Sequence, residues 1–399
     1  MRQSGYPHFL FNQPNEFEHC ESVECLDPHH NNNVTKHGIE CRSVTWALDY
    51  SYIAWSSGNC TVQLIPWNRE QRKSCDEEDI CHSKHVLDCK EAVWSMAFGS
   101  GRSQNSRTSR FKFDQNMILA TGLQSGRIKI WNCRTGLFLM VLFDHKDTIS
   151  SLHFAPDSSM SLLSASHDGT LKLWDLNDDG NMFQTLRPQN KRLHGCRWSP
   201  NTKYIASVGD FKSVVIWRTS DFKLLRKLQG HYNNVTSCDF SPDGALLATA
   251  SYDTRVIIWD FETGEILREL GHMFPAPRPI YAGGANEHYI RHVAFSCDGT
   301  HLASVCDDGY TRVWNLQESE DPEKVAVNDN ALCCSFSPDG TLLSVGNRQG
   351  VVEVLSSPRK IERLQHLARS TVRKHLPTIK IDHLHLPFRL KEYLKYKDI

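Results

Sequence analysis

The chain has 399 residues, 40% of them hydrophobic and 23% charged, with a formal net charge of −1. Those proportions are those of a soluble protein, and no apolar run is long enough for a transmembrane span. The opening MRQSGYPHFLFNQ lacks the apolar core of a signal peptide, and Gly5 is misplaced for myristoylation. The 14 cysteines include the adjacent Cys333 and Cys334, which on one strand would face opposite ways and form no disulfide framework. A reducing, intracellular setting is expected, cytoplasmic or nuclear, with the sequons at Asn33, Asn59 and Asn234 unmodified.

In chain order, residues 1–40 carry no motif that can be placed and are expected to form a flexible N-terminal tail. From residue 43 the chain becomes repetitive. Trp131, Trp174, Trp217 and Trp259 recur at steps of 43, 43 and 42 residues, and each closes an alternating run: RIKIW, TLKLW, SVVIW and RVIIW. Between residues 235 and 270 the alternation resolves into four strands at 235–240, 246–251, 255–259 and 266–270. Turns with Ser241-Pro242-Asp243-Gly244, Tyr252-Asp253-Thr254 and Glu262-Thr263-Gly264 separate them, so Pro and Gly fall where their backbone preferences help. Such a unit is too small to be stable alone, and only stacking of its copies buries its apolar faces. Seven units are counted, at 43–67, 93–131, 149–174, 194–217, 235–259, 290–314 and 331–355. An array with this period is that of a β-propeller, and seven blades lie in the usual range, with six and eight as the neighbouring counts. The last unit carries Leu355 where tryptophan is expected, which makes its outer edge the hardest to assign.

Three segments interrupt the repeat. Residues 68–90 contain Cys75, Cys81, His82, His85 and Cys89, but only His82 and His85 have the close spacing of zinc ligands, so a solvated loop is expected and no metal site. The GSGRSQNSRTSR stretch within 99–116 has the composition of a flexible insertion. Residues 273–288, MFPAPRPIYAGGANEH, form either a partner-facing loop or a long connection.

The repeating unit resembles that of the WD-repeat family. Gly230-His231, Ser251, Asp253 and Trp259-Asp260 match its motif, and His145, Ser166, Asp168 and Trp174-Asp175 repeat the offsets. The resemblance implies that each His, Ser, Asp and Trp set forms a hydrogen-bonded chain inside its blade, where stranding one buried partner costs about 1–3 kcal/mol. Leu123 and Ser125, Gly209 and Phe211, and Cys306 and Asp308 occupy the Ser and Asp offsets of other units, which are therefore expected to rely on apolar packing.

The alternation stops after Ser357-Pro358. Ile361, Leu364, Leu367, Ala368, Thr371 and Val372 follow at helical spacing, with Arg363, Gln365, Arg369 and Arg373 between them, up to Pro377. A second apolar cluster, Leu384, Leu386, Pro387, Leu390, Tyr393 and Leu394, begins extended and turns helical near Arg389. Residues 358–399 hold 11 Lys plus Arg against 4 Asp plus Glu, but regularly spaced leucines among them point to a packed element rather than a nucleic-acid or membrane tail. Two short helices cannot make a core of their own, so their apolar faces need the propeller or another protein.

This tail resembles a SOCS box, the adaptor that joins substrate receptors to elongin B, elongin C and a cullin. Leu364, Leu367 and Val372 match its elongin-binding submotif, and Ala368 stands where that submotif has cysteine, a change worth about 1 kcal/mol on cavity grounds. Leu384, Leu386 and Pro387 match the cullin submotif, with His385 in place of its first proline. A propeller followed by this box, together with the FPAPRPIYAGGAN insertion, is similar to the WD repeat and SOCS box-containing family over nearly the whole chain.

The resemblance implies a fold of a seven-bladed propeller at 41–357 and a small helical SOCS box at 358–399. It also implies a non-catalytic substrate receptor of a ubiquitin ligase, bound to elongin B and C and to a cullin, the fifth, with its RING protein. A protein target would be held on the propeller, and no cofactor is expected. The competing reading is a propeller scaffold whose tail folds back without recruiting elongin. An enzyme finds no phosphate loop, nucleophile elbow or metal-ligand pair here, and nucleic-acid binding through Arg369, Arg373, Lys374, Lys391, Lys395 and Lys397 is not expected near physiological salt.

Overall fold

Alternating apolar residues at the expected spacings build seven antiparallel sheets arranged as the blades of a closed ring. The computed structural model describes residues 18–26, 40–58, 60–67, 84–100, 117–272, 289–317, 321–328, 330–358 and 364–397. The insertion at 273–288, nearly all of that at 99–116, and Cys75, Cys81 and His82 of the cysteine-rich loop lie outside them.

Blade 5 shows the plan. Its strands, Val235–Phe240, Leu246–Ser251, Arg255–Asp260 and Glu265–Gly271, pair in sequence order and lie within one or two residues of those read from the sequence. The first strands of successive blades, Val44–Trp46, Val93–Ser100, Ile149–Phe154, Leu193–Trp198, Val235–Phe240, Ile290–Phe295 and Ala331–Phe336, neighbour one another around a central channel. Between adjacent blades lie apolar cores, such as Ala206, Val208, Ile216, Phe240, Leu247 and Trp259 between blades 4 and 5. These are the faces that a single blade would leave in water, at about 25 cal/mol per Å².

The ring closes through the segment expected to be a tail. Ser22–Leu26 pairs antiparallel with Val352–Ser356, Ser22 opposite Leu355 and Leu26 opposite Val352, and becomes the outer strand of blade 7. Glu18–His19 adds a short parallel strand to Lys324–Val327 of blade 6. The expectation of a flexible tail over 1–40 is therefore corrected at 18–26. The strand lies at a sheet edge with mostly exposed side chains, so it lacks the apolar alternation by which a strand is recognised. Leu355 is 2% exposed under this added strand, and the Trp46 indole of blade 1 donates to Ser344 Oγ of blade 7 at 2.6 Å, tying first blade to last.

The hydrogen-bonded chains inside the blades differ from expectation by two residues. In blade 3, His145 Nδ1 meets Asp168 Oδ2 at 2.8 Å, His145 Nε2 meets Ser164 Oγ at 2.8 Å, and Trp174 Nε1 donates to that hydroxyl at 2.9 Å. In blade 5 the hydroxyl is Thr249, 2.8 Å from His231 Nε2 and 2.8 Å from Trp259 Nε1, while His231 Nδ1 lies 2.9 Å from Asp253. Ser166 and Ser251, assigned to this role from the sequence, instead hold the turn: each donates to a backbone carbonyl and accepts the N–H of Asp168 or Asp253. The reason is length. An imidazole anchored by Nδ1 to the turn aspartate reaches with Nε2 two residues deeper along the strand, to the next side chain on the same face.

Blade 6, expected to rely on packing, has a complete set. His272 Nε2 meets Ser304 Oγ at 2.8 Å, Trp314 Nε1 donates to it at 2.7 Å, and Arg312 bridges His272 Nδ1 and Asp308 at 2.6 and 2.7 Å. Among the described residues, blade 2 keeps only the Trp131 to Thr121 bond of this set at 3.0 Å, with Cys89 beside the hydroxyl, and blade 4 only Trp217 to Ser207 at 3.2 Å. In blade 5, Gly230 precedes the histidine because any Cβ there would lie 2.7 Å from the Trp259 ring.

Burial pushes the Asp168, Asp253 and Asp308 carboxyls up, but hydrogen bonds from His145, from His231, and from His272 with Arg312 outweigh it and hold all three below the ordinary value of 3.8. A carboxyl with a depressed folded-state pKa stabilises the fold above its unfolded value, and that contribution is lost as pH falls below it. We predict that unfolding stability, followed by denaturant titration, declines as pH drops below about 4, and that Asp308→Asn flattens part of this decline. Thr249→Val, which strands both His231 and Trp259, should destabilise the propeller by about 1–3 kcal/mol; an unchanged melting midpoint would contradict the role given to the hydroxyl.

Candidate functional site

After Pro358 the chain forms three helices, α1 (Leu364–Arg373), α2 (Thr378–Ile381) and α3 (Phe388–Leu394). The short α2 has no counterpart in the sequence reading; it begins after Pro377, at its N-cap, and buries Thr378 and Ile381. Pro387 likewise precedes α3, one residue earlier than the helical start expected near Arg389.

Helix α1 is amphipathic as its spacing requires, but with an unusual orientation. Its buried side carries His366, Arg369 and Arg373, each no more than 6% exposed, while Leu367 and Val372 are 46% and 41% exposed, and Ala368 and Thr371 lie on the same open side. Leu364 is the first residue of α1. The cations can face inward because each finds partners there. Arg369 lies over the rings of Tyr393 and Tyr396, 4.2 and 4.1 Å from their centroids, and donates to the Tyr393 carbonyl. Arg373 donates to the Leu376 carbonyl at 2.9 Å and to Thr378 Oγ1 at 2.7 Å.

The outward apolar surface continues beyond α1. Ile379, Phe388 and Leu390 are exposed, Pro387 and His385 are exposed, and Leu384 and Leu386 are half-buried. Ile381 and Leu394 are buried and hold the two short helices in place. The structure thus puts Leu367, Ala368 and Val372 together on one open helix side, and Leu384, Leu386 and Pro387 on the extended run leading into α3. Ile379 and Phe388 were not singled out by sequence reasoning, because neither occupies a motif position.

Several basic residues of the tail are engaged within the chain, while Lys374, Lys380 and Arg389 are exposed. Besides the two buried arginines, Lys391 donates to the Asp382 carbonyl, Lys395 pairs with Asp382 at 2.6 Å and Lys397 with Glu265 at 3.0 Å. Among the described residues, no helix is long and apolar enough to cross a membrane.

A second feature lies on the propeller, at one mouth of the central channel. The channel has a volume of about 380 Å³ and is lined by every blade. Aromatic side chains from five blades form an arc at the mouth: Trp94 to His167 at 5.4 Å, His167 to His194 at 5.8 Å, His194 to Tyr252 at 6.5 Å and Tyr252 to Tyr289 at 4.7 Å. Arg42 stacks on Trp94 at 3.9 Å, and Arg291 lies near both tyrosines while gripping Asp307. No local motif reveals this arc, since each blade supplies only one or two of its members. Deeper in the channel, burial and the neighbouring Arg197 push His292 down to about 3, so it is neutral, and burial pushes the Cys196 thiol up to about 12.

His272, Cys306 and Asp308 bring three metal-type ligand atoms within 4.8 Å of one another. The Arg312 guanidinium already bridges His272 and Asp308, taking the place a cation would need. In the former cysteine-rich loop, His85 meets the Arg134 carbonyl and Cys89 is buried against Thr121.

Comparison with known proteins agrees with both parts of the architecture. The WD domain, G-beta repeat, matches residues 136–175, 222–260 and 280–315, and the SOCS box matches residues 362–395. The chain is 44% identical to WD repeat and SOCS box-containing protein 1 of Homo sapiens, over 91% of this chain and 92% of that protein. It is 46% identical to the protein of the same name from Danio rerio, over 91% of this chain and 93% of that one. The chain belongs to the family of WD repeat and SOCS box-containing proteins.

Proposed function

We propose that this chain is the target-recruiting subunit of an elongin–cullin–RING ubiquitin ligase. The observation that carries the proposal is the apolar side of α1, where Leu367 and Val372 stand exposed although His366, Arg369 and Arg373 of the same helix are buried. A helix that packs its arginines and leaves its leucine and valine in water has its apolar side available to a separate subunit. In this reading Leu364, Leu367, Ala368 and Val372 meet elongin C, which is joined to elongin B. Leu384, Leu386 and Pro387, with the exposed Phe388 beside them, face the cullin, the fifth, and its RING protein.

The propeller supplies the other half of the task. The mouth ringed by Arg42, Trp94, His194, Tyr252, Tyr289 and Arg291 offers the aromatic and cationic groups that dominate protein recognition surfaces, and a protein target binds there. The chain carries out no ubiquitin chemistry itself. It raises the effective concentration of target lysines near the thioester of the recruited conjugating enzyme, and a closed ring of sheets keeps that distance defined.

Co-purification from cells tests this directly. Leu367→Glu combined with Val372→Glu, and separately Leu364→Glu, should abolish capture of elongins B and C while the melting midpoint of the purified chain stays the same. If the tail is only a part of a scaffold, elongins will be absent from the unmodified chain as well, or capture will be indifferent to the charges.

A further inference from the structure

The turn between the first and second strands has the same design in blades 5, 6 and 7, with one exception. In blades 6 and 7 the second oxygen of the turn aspartate accepts from a threonine of the same turn: Asp298 Oδ2 from Thr300 Oγ1 at 2.7 Å and Asp339 Oδ2 from Thr341 Oγ1 at 2.9 Å. In blade 5 the corresponding residue after Asp243-Gly244 is Ala245, which has no hydroxyl. Asp243 Oδ1 still serves the turn, accepting from Ser241 Oγ at 2.6 Å and from the Ala245 N–H at 3.1 Å. Its Oδ2 accepts from the tail instead, from the Tyr396 hydroxyl at 2.5 Å.

Tyr396 is built into the propeller in other ways too. It is 5% exposed and belongs to the same apolar core as Ala245, Leu246, Trp314 and Leu316 of blades 5 and 6. It follows α3 with φ of 59°, a left-handed conformation usually left to glycine after a helix and costly for an aromatic residue. One face of its surroundings is closed by the Arg369 guanidinium of α1, so the plug from the end of the tail also locks the first helix. Further from this point, the Thr378 N–H donates to Glu262 Oε2 at 2.6 Å, Lys397 meets Glu265 at 3.0 Å, and His366 Nε2 meets the Asp298 carbonyl at 3.1 Å. Attachments on two blades that do not lie on one line fix an orientation as well as a position.

We infer that Tyr396 and Arg369 are positioning residues that fix the direction of the tail's outer face relative to the propeller, and thereby decide which lysines come within reach of the transferred ubiquitin. The inference rests on the recruitment reading above. Nothing in it requires Tyr396 or Arg369 to touch elongin, cullin or target. The clamp acts by narrowing the set of orientations, which raises the effective concentration of some lysines and lowers that of others.

Two variants of the full chain, each co-expressed with elongins B and C, test it. Tyr396→Phe keeps the ring and removes the hydroxyl; Ala245→Thr gives the blade 5 turn the hydroxyl that Asp298 and Asp339 already have and competes for Asp243 from the propeller side. Amide exchange in α1 and α3 should quicken about tenfold, as expected for one lost hydrogen bond to a charged group. Elongin capture should remain as in the parent chain. In a reconstituted ligase, the propeller's own lysines serve as acceptors, and mapping of the modified sites by mass spectrometry should show a narrow set for the parent and a broader set for both variants. Exchange that stays slow in both variants overturns the clamp. Faster exchange with an unaltered set of lysines overturns its directing role. A parent chain that captures no elongin sinks the recruitment reading itself, an outcome distinct from the other two.

Discussion

A blade of four short strands has two apolar faces and cannot cover either of them. Every other feature of this molecule depends on neighbours doing so, around a ring that must close. The closing bond is made at blade 7, where the C-terminal half of the repeat array supplies three strands and Ser22–Leu26 supplies the fourth. The Trp46 to Ser344 bond adds a link between side chains 298 residues apart in sequence. Because the ends of the array are held by each other, a tail leaving the last blade starts from a fixed point.

What departs from that point is equally constrained. Tyr396 enters the core shared by blades 5 and 6, and Arg369 is packed between two tyrosine rings. The tail is therefore attached through its polar and aromatic side, and the aliphatic side of α1 is left outward. This inversion of the usual amphipathic arrangement connects packing to function. Had the leucines faced inward, they would have stabilised the junction and left no apolar surface for another protein.

Much of this was legible in the residues. The period of the tryptophans places the strands and yields a count of seven units with six and eight as neighbours, because strand alternation and turn chemistry repeat with it, and the strands of blade 5 fall within one or two residues of their expected limits. The helical spacing from Leu364 to Val372 is likewise explicit. The features that were not legible share a physical cause: they depend on partners distant in sequence. Ser22–Leu26 is an edge strand whose pattern says little without Val352–Ser356 beside it. Spacing points to Ser166 and Ser251 rather than Ser164 and Thr249, since only geometry reveals how far an imidazole reaches. The set built on His272 goes unread because Cys306 stands at the serine offset and the Arg312 bridge to Asp308 is absent from the repeat motif. The arc from Trp94 to Tyr289 is assembled by ring closure alone.

The central claim is that the outer side of the anchored tail is a binding surface for a foreign subunit. Titration calorimetry of the purified full chain with purified elongin B–elongin C measures it most directly. The account predicts one heterodimer bound per chain, with a negative heat-capacity change from burial of apolar surface. Absence of any binding heat at tens of micromolar, under conditions where the propeller is folded, would contradict it.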